Sequence, residues 1–421
     1  MNINLENSIK ETNIEEKSIK RNVKIDYLYC FMKNFDISSA IWVLYMVYKG
    51  LPLWQIGVVE GIFHVASFLF EVPSGALADL FGRKNVIIAG RICSAISAVI
   101  NLFANNIFGF SISFIISALG YNLNSGSEEA LVYDSLKQVN CEKEYLKVNS
   151  RLNLIIEVSQ GISIFIGGIL AEYSYVYCYV TVIIISLLSL IPAFMFKEPL
   201  KEEEDKDSID VKENNDFAEN NNATEKISIK KHFKICYEIL KGNKEILKIL
   251  IYFPVVFTFD AVVYFYGQQY FSTLGFNKIE ISLIMLLCAV FSCVGAISCE
   301  KVMTMFGEKT KYLASILMGV SIVMISGNNS VVSIIFFAIM TYANALLYPI
   351  QSTSLNKLIP SGQRATIISV DSMIFSLTMV CIFPVCGLMA DKFDFHITFF
   401  ILGVVQILLM ILLLNRKHKS K

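Results

Sequence analysis

Twelve blocks of apolar residues, each about long enough to cross a bilayer, dominate this 421-residue chain. They run approximately over 25–48, 54–80, 85–104, 107–137, 147–171, 174–196, 249–272, 279–300, 311–327, 330–357, 365–390 and 395–415, and are numbered spans 1 to 12 in that order. A hydrocarbon core needs roughly 20 apolar residues in helical form, because a helix pairs its own backbone groups where no water can. The chain is therefore predicted to be an all-α integral membrane protein with twelve transmembrane helices. Its hydrophobic fraction, 55%, exceeds soluble usage of about 45–50%.

The chain has 36 basic and 36 acidic residues, and this balance conceals an asymmetry. With both termini in the cytoplasm, about 30 of the 36 Lys and Arg fall on the inner side. Lys49, Lys278 and Lys392 fall outside, and Lys33, Arg91 and Lys248 lie in or beside the blocks. Basic residues are retained on the cytoplasmic side, so the bias predicts a multi-pass protein with cytoplasmic N- and C-termini. Residues 1–24 are polar and lack the short apolar core of a cleaved leader, so span 1 is expected to serve as the targeting signal. Richness in Lys, Ile and Asn gives the chain a bacterial look, and the membrane is then the cytoplasmic one. The ten cysteines show no paired zinc spacing and read as small hydrophobes in helices.

Residues 197–247 form a linker between six spans and six spans. Its stretch from Lys201 to Asn222 is charged, Asn-rich and predicted to be disordered. From Ile227, apolar Ile229, Phe233, Cys236, Ile239 and Leu240 alternate at helical spacing with Lys230, Lys231, Lys234 and Lys241, which predicts a helix lying on the inner membrane surface. The domain plan is a tail over 1–24, a six-helix half over 25–196, the linker, a six-helix half over 248–415 and a tail over 416–421. Two echoes relate the halves: Phe35-Asp36 with Phe259-Asp260, and Gly168-Ile-Leu-Ala-Glu172 with Gly387-Leu-Met-Ala-Asp391. Both pairs lie about 220 residues apart, the spacing expected of two pseudo-repeats.

The junction of spans 2 and 3 reads Glu71-Val-Pro-Ser-Gly-Ala-Leu-Ala-Asp79-Leu-Phe-Gly-Arg83-Lys84. Gly75, Asp79, Gly82, Arg83 and Lys84 fill the signature of the loop between helices 2 and 3 in the major facilitator superfamily, and the chain resembles that family. Glu71 and Pro73 extend the match to the variant signature of bacterial drug efflux carriers such as the clostridial tetracycline efflux proteins. The resemblance implies a twelve-helix fold of two six-helix halves, with the loop latching the halves on the inner face in one conformation. Mechanically, Gly75 and Gly82 permit close packing and a tight turn, Asp79 can pair with a basic group or a helix N-terminus, and Arg83 and Lys84 hold the loop inside. Two features depart from drug–proton antiporters of the family. Ser163-Ile164 stand where span 5 would carry Gly-Pro, and residues 107–137 contain no Arg.

Glu60, His64 and Glu71 lie within roughly 40° of one another on span 2, a stripe about 16 Å long. Ionisable groups inside a membrane mark cavities and proton paths, and a buried Glu beside a His can exchange protons near neutral pH. Asp36 in span 1 and Asp260 in span 7 are further candidates for a proton or a cationic substrate, with Lys33 as a rival partner for Asp36. Glu128 and Glu129 of span 4 point to different faces, so one of them is expected to meet the cavity. Arg91 of span 3 can neutralise a carboxylate of span 2 or 4, and Asp371 of span 11 is a weaker cavity candidate. Aromatic residues such as Trp42, Tyr45, Tyr264, Tyr266 and Tyr270 suit lipophilic cations, interfacial belts or packing.

No phosphate-binding loop, catalytic triad, metal cluster or nucleic-acid surface is read in the chain, so neither an enzyme nor a resident cofactor is expected. A proton moving down about 100 mV releases about 2.3 kcal/mol, enough to drive uphill transport. The expected partners are a small-molecule substrate, protons and the lipid bilayer, with the chain acting as a monomer. Three functions stay open: a proton-coupled exporter of drugs or other amphiphilic compounds, an importer or facilitator of a small metabolite, and a non-transporting sensor. Gln268, Gln269, Asn344 and Gln351 keep the importer open.

Overall fold

The computed structural model describes residues 21–199, 244–327, 329–358 and 364–418. The expected disordered segment from Lys201, the surface helix from Ile227 to Lys241 and residues 1–20 of the N-terminal tail lie outside them. All regular structure among the described residues is helical.

The first half is less regular than its apolar blocks predict. Span 1 is two helices, 21–34 and Trp42–Tyr48, separated by seven non-helical residues. Spans 2 and 3 are Leu53–Phe81 and Arg83–Phe103. Span 4 is again two helices, Ile107–Asn124 and Ser127–Gln138. Span 5 is Tyr145–Tyr173, and span 6 is Tyr175–Leu188 continued by Leu190–Met195. Spans 7 to 12 are single helices: Lys244–Thr273, Lys278–Phe306, Thr310–Ile325, Ser330–Leu358, Arg364–Lys392 and Phe395–His418.

Nine stretches of the described residues are long and apolar enough to cross a membrane. One of them, Lys278–Ile325, holds both spans 8 and 9, and span 12 is a shorter apolar helix over Phe395–Ile411. The broken span 1 completes the twelve. Large apolar side chains such as Phe108, Ile184 and Ile297 are exposed on the bundle, as a surface solvated by lipid requires.

The bundle has two ends. The near face holds Asn22, which donates to the Lys197 carbonyl at 2.7 Å, together with the turn at Gly82 between spans 2 and 3. The far face holds Gly50, Leu53 and Asp391. The two halves meet along spans 2 and 11 and along spans 5 and 8, where glycines bring the helices close. A Cβ on Gly57 would lie 2.6 Å from Pro384 Cα, and one on Gly168 would strike the Ser282 side chain.

Candidate transport cavity

The two broken spans have local causes. After Asp36 come Ile37, Ser38 and Ser39. The Asp36 carboxylate accepts from the Ser38 amide at 2.9 Å and from the Ser38 hydroxyl at 2.6 Å, while the Ser39 hydroxyl donates to the Asp36 carbonyl. These short polar side chains offer the backbone a turn in place of the helical ladder. In span 4, Ser125-Gly126 interrupts the helix, with Gly126 at φ 71°. Irregular backbone at membrane depth is stable where it lines a cavity. Both breaks border a cavity of about 600 Å³, lined mainly by the first half and reached by Phe265 of span 7.

The cavity collects charge. The Lys33 ammonium pairs with the Glu128 carboxylate, joining spans 1 and 4. Lys33 was the rival partner considered for Asp36; the turn at 36–39 gives Asp36 to Ser38. Glu128 is buried and Glu129 exposed, yet both border the cavity, because the break at Gly126 places them in the first turn of a new helix. Arg91, expected to meet a carboxylate, is buried and donates to Ser189 Oγ at 2.7 Å and to Ser186 Oγ at 3.4 Å, both of span 6.

Asp26 was not anticipated. It sits one turn into span 1, is fully buried at the edge of the cavity, and has Glu128 and Lys33 as charged neighbours. Neither of its carboxylate oxygens has a hydrogen-bond partner among the described residues. Its spacing to Cys30 and Lys33, four and seven residues, places all three on one helical face, and that was the available signal. The other wall is aromatic, with Trp42, Phe63, Phe114 and Phe265. Trp42 lies 5.8 Å from Phe114 and 5.4 Å from Phe265, centroid to centroid. Tyr266 and Tyr270 do not join it. They are fully buried and donate to the carbonyls of Leu53 and Ile325, so they serve packing.

Span 2 divides its stripe. Glu60 is buried at the cavity, and His64 Nε2 lies 3.5 Å from its carboxylate, as the i,i+4 spacing implies. The His64 ring packs 5.7 Å from Phe375 of span 11. Glu71 is two turns further on and exposed, apart from that pair. At the junction with span 3, Gly82 takes φ 86°, the tight turn expected of it. Gly75 shows no close packing: a Cβ there would meet no atom within 4 Å. The Glu198 carboxylate accepts from the Arg83 and Lys84 amides at 2.7 and 2.8 Å, and Arg83 pairs with Asp134. These contacts join the first half to the start of the linker and do not reach the second half, and Asp79 is exposed.

In the second half Asp260 is buried, and Asn344 of span 10 donates to it at 2.8 Å. The other oxygen of Asp260 and the Asn344 carbonyl oxygen are both buried without a hydrogen-bond partner among the described residues. Asp371 accepts from Gln351 at 2.7 Å.

The sequence profile of the Major Facilitator Superfamily matches residues 28–326 and 306–421. The chain belongs to the major facilitator superfamily. It is 27% identical over 384 residues to an uncharacterized MFS-type transporter, YxaM, of Bacillus subtilis, covering 89% of this chain and 90% of that one. Solved structures share the fold at lower identity. A D-xylose-proton symporter superposes with a TM-score of 0.70 at 15% identity, over 94% of this chain and 96% of that one. The nucleoside transporter NupG gives 0.72 at 12% identity, over 94% and 98%. The protein is thus a multi-pass membrane transporter of this superfamily, and not an enzyme.

Proposed function

We propose that the protein is a proton-coupled exporter of amphiphilic, preferentially cationic, small molecules across the cytoplasmic membrane, with the near face and both termini in the cytoplasm. The observation that carries this reading is Asp26: a buried carboxyl group with no hydrogen-bond partner among the described residues, beside the Lys33–Glu128 ion pair, at the edge of an aromatic-walled cavity. Ionisable groups buried inside a membrane bundle at the edge of a cavity are the groups that relay protons in transporters. Carboxylates outnumber cations around the cavity, and aromatic faces attract organic cations. Alternating access then couples proton entry to substrate exit.

The test is ethidium transport in proteoliposomes carrying an imposed pH gradient, for wild type and Asp26→Asn. Gradient-dependent movement of ethidium that the substitution abolishes supports the exporter. Absence of ethidium transport by well-folded wild type in either gradient direction overturns it. A second reading, symport of a polar metabolite, draws on Asn101, Asn124 and Asn149 around the same cavity and on the sugar and nucleoside transporters of the same fold. Inward movement of a sugar or nucleoside with protons would favour it.

A further inference from the structure

The repeat echo at the ends of spans 5 and 11 has a structural counterpart that crosses between the halves. Asp391, at the far end of span 11, accepts from the Leu53 amide at 3.1 Å and from the Trp54 amide at 2.9 Å, the first two residues of span 2. Glu172, at the far end of span 5, accepts from the amide of Lys278, the first residue of span 8, at 3.0 Å. Small residues permit both approaches. A Cβ on Gly387 would lie 2.5 Å from the Leu53 carbonyl oxygen, and one on Gly168 would lie 2.8 Å from that of Lys278. Each half therefore lends the other a carboxylate, and the two contacts are related as the repeats are.

We propose that Asp391 and Glu172 are the gate-positioning residues of the far face: their bonds to the starts of spans 2 and 8 hold the halves together there, and breaking them opens the cavity to that side. The bonds join an anion to free amides at the positive end of a helix, which makes them stronger than bonds between neutral groups. They stand at the rim, where a small rotation of the halves breaks both at once, while contacts nearer the centre only roll.

The two are not equal. Span 8 has a capping box of its own, in which Asn277 accepts from the Glu280 amide and Glu280 accepts from the Asn277 amide. Span 2 begins after Pro52 with no side-chain cap of its own, so two of its free amides depend on Asp391. Tyr266 of span 7 holds the same turn by donating to the Leu53 carbonyl at 2.9 Å. Asp391 is therefore the main bolt and Glu172 the auxiliary one.

Hydrogen–deuterium exchange on the full chain in lipid nanodiscs tests this without a known substrate. Asp391→Asn keeps the shape and removes the charge. It should speed exchange at Leu53 and Trp54 by about tenfold, the loss of one charge-assisted hydrogen bond. Glu172→Gln should speed exchange at Lys278 by a smaller factor. Because the gate belongs to a two-state cycle, Asp391→Asn should also slow exchange around Gly75 at the near face, as that side closes. Gly387→Ala, which pries the same contact apart without touching a carboxylate, should act like Asp391→Asn. Faster exchange at Leu53 and Trp54 alone, with no change at the near face in either variant, would mean simple fraying and would overturn the proposal. So would an effect of Glu172→Gln equal to or larger than that of Asp391→Asn.

Discussion

Asp36 and Asp260 occupy matching places in the two halves, each after a phenylalanine, yet they end in opposite environments. Asp36 is exposed in a turn that interrupts span 1, and Asp260 is buried in an unbroken span 7. The residues that follow decide the outcome. Ile-Ser-Ser supplies hydroxyls that compete with the helix, whereas Ala-Val-Val supplies none. The break opens the first half to a charged cavity, while Asp260 lies beside Phe259 in a span whose Phe259 and Tyr266 join Met285 and Phe337 in an apolar core shared with Trp42 and Tyr45 of the first half. The repeats have diverged in chemistry while keeping their contacts: one half carries the cavity, and the other forms the wall against which it turns.

The largest test of this division falls on the first half. Asp26→Asn should reduce gradient-driven transport to the level of empty vesicles. It should also leave the melting temperature unchanged or raised, since it replaces an unpartnered buried carboxyl by a group that is never charged. Lost transport together with a lowered melting temperature would make Asp26 a structural residue. Glu128→Gln comes next. It leaves Lys33 buried without its partner, and should destabilise the protein by about 1–3 kcal/mol, below the range for fully buried pairs because the Lys33 side chain is 25% exposed. Adding Lys33→Met should restore most of that loss in a thermal melt. Failure of the double variant to recover would show that the pair does not act as a unit.

In the second half the arrangement at Asp260 calls for a proton. With Asn344 donating to one carboxylate oxygen, the other oxygen and the Asn344 carbonyl oxygen both lack partners, and a single O–H from Asp260 to Asn344 would satisfy the two together. Infrared spectra of wild type should therefore show a protonated-carboxyl stretch that Asp260→Asn removes and Asn344→Leu shifts. Transport by Asp260→Asn should fall by less than that by Asp26→Asn, because Asp260 does not border the cavity. A larger loss would move the coupling site to the second half and reverse the comparison.

Much of this was legible in the sequence where one span decides the matter. The twelve crossings follow from block length, because a bilayer leaves the backbone no other choice. The Glu60–His64 contact follows from four-residue spacing. What joins different spans was not legible. Lys33 was weighed as a partner for Asp36, three residues away, and the spacing held no sign of Glu128 across the cavity. Asp26 was passed over because it lies at the edge of a block, where charge is ordinary. The breaks in spans 1 and 4 were hidden by apolar flanks, although Ser38-Ser39 and Ser125-Gly126 were the local signs of them. The echo at Glu172 and Asp391 revealed the repeat but not its contacts, since the amides they hold belong to the opposite half.

The smallest expected effect on transport comes from the most direct test of why the halves differ. Replacing Ile37-Ser38-Ser39 by Ala-Val-Val gives span 1 the local sequence of span 7. It removes the Ser38 hydroxyl that bonds the Asp36 carboxylate and the Ser39 hydroxyl that bonds the Asp36 carbonyl, and leaves the Ser38 amide as the one remaining donor of the turn to that carboxylate. The segment then gains by closing helical bonds and loses the packing of the Ile37 side chain, which is fully buried. The packing lost at Ile37 costs about 2–5 kcal/mol and the gained helical bonds return about 1 kcal/mol, so the melting temperature should fall. Amide exchange over residues 36–41 should slow as the helix joins, and transport should fall modestly as the cavity loses its bend. If exchange there stays fast, the turn is imposed by tertiary contacts, above all Gln268 of span 7, which donates to the Ser39 carbonyl at 3.1 Å and accepts from the Val43 amide at 3.3 Å. The cause of the asymmetry would then lie between the halves and not in the three residues after Asp36.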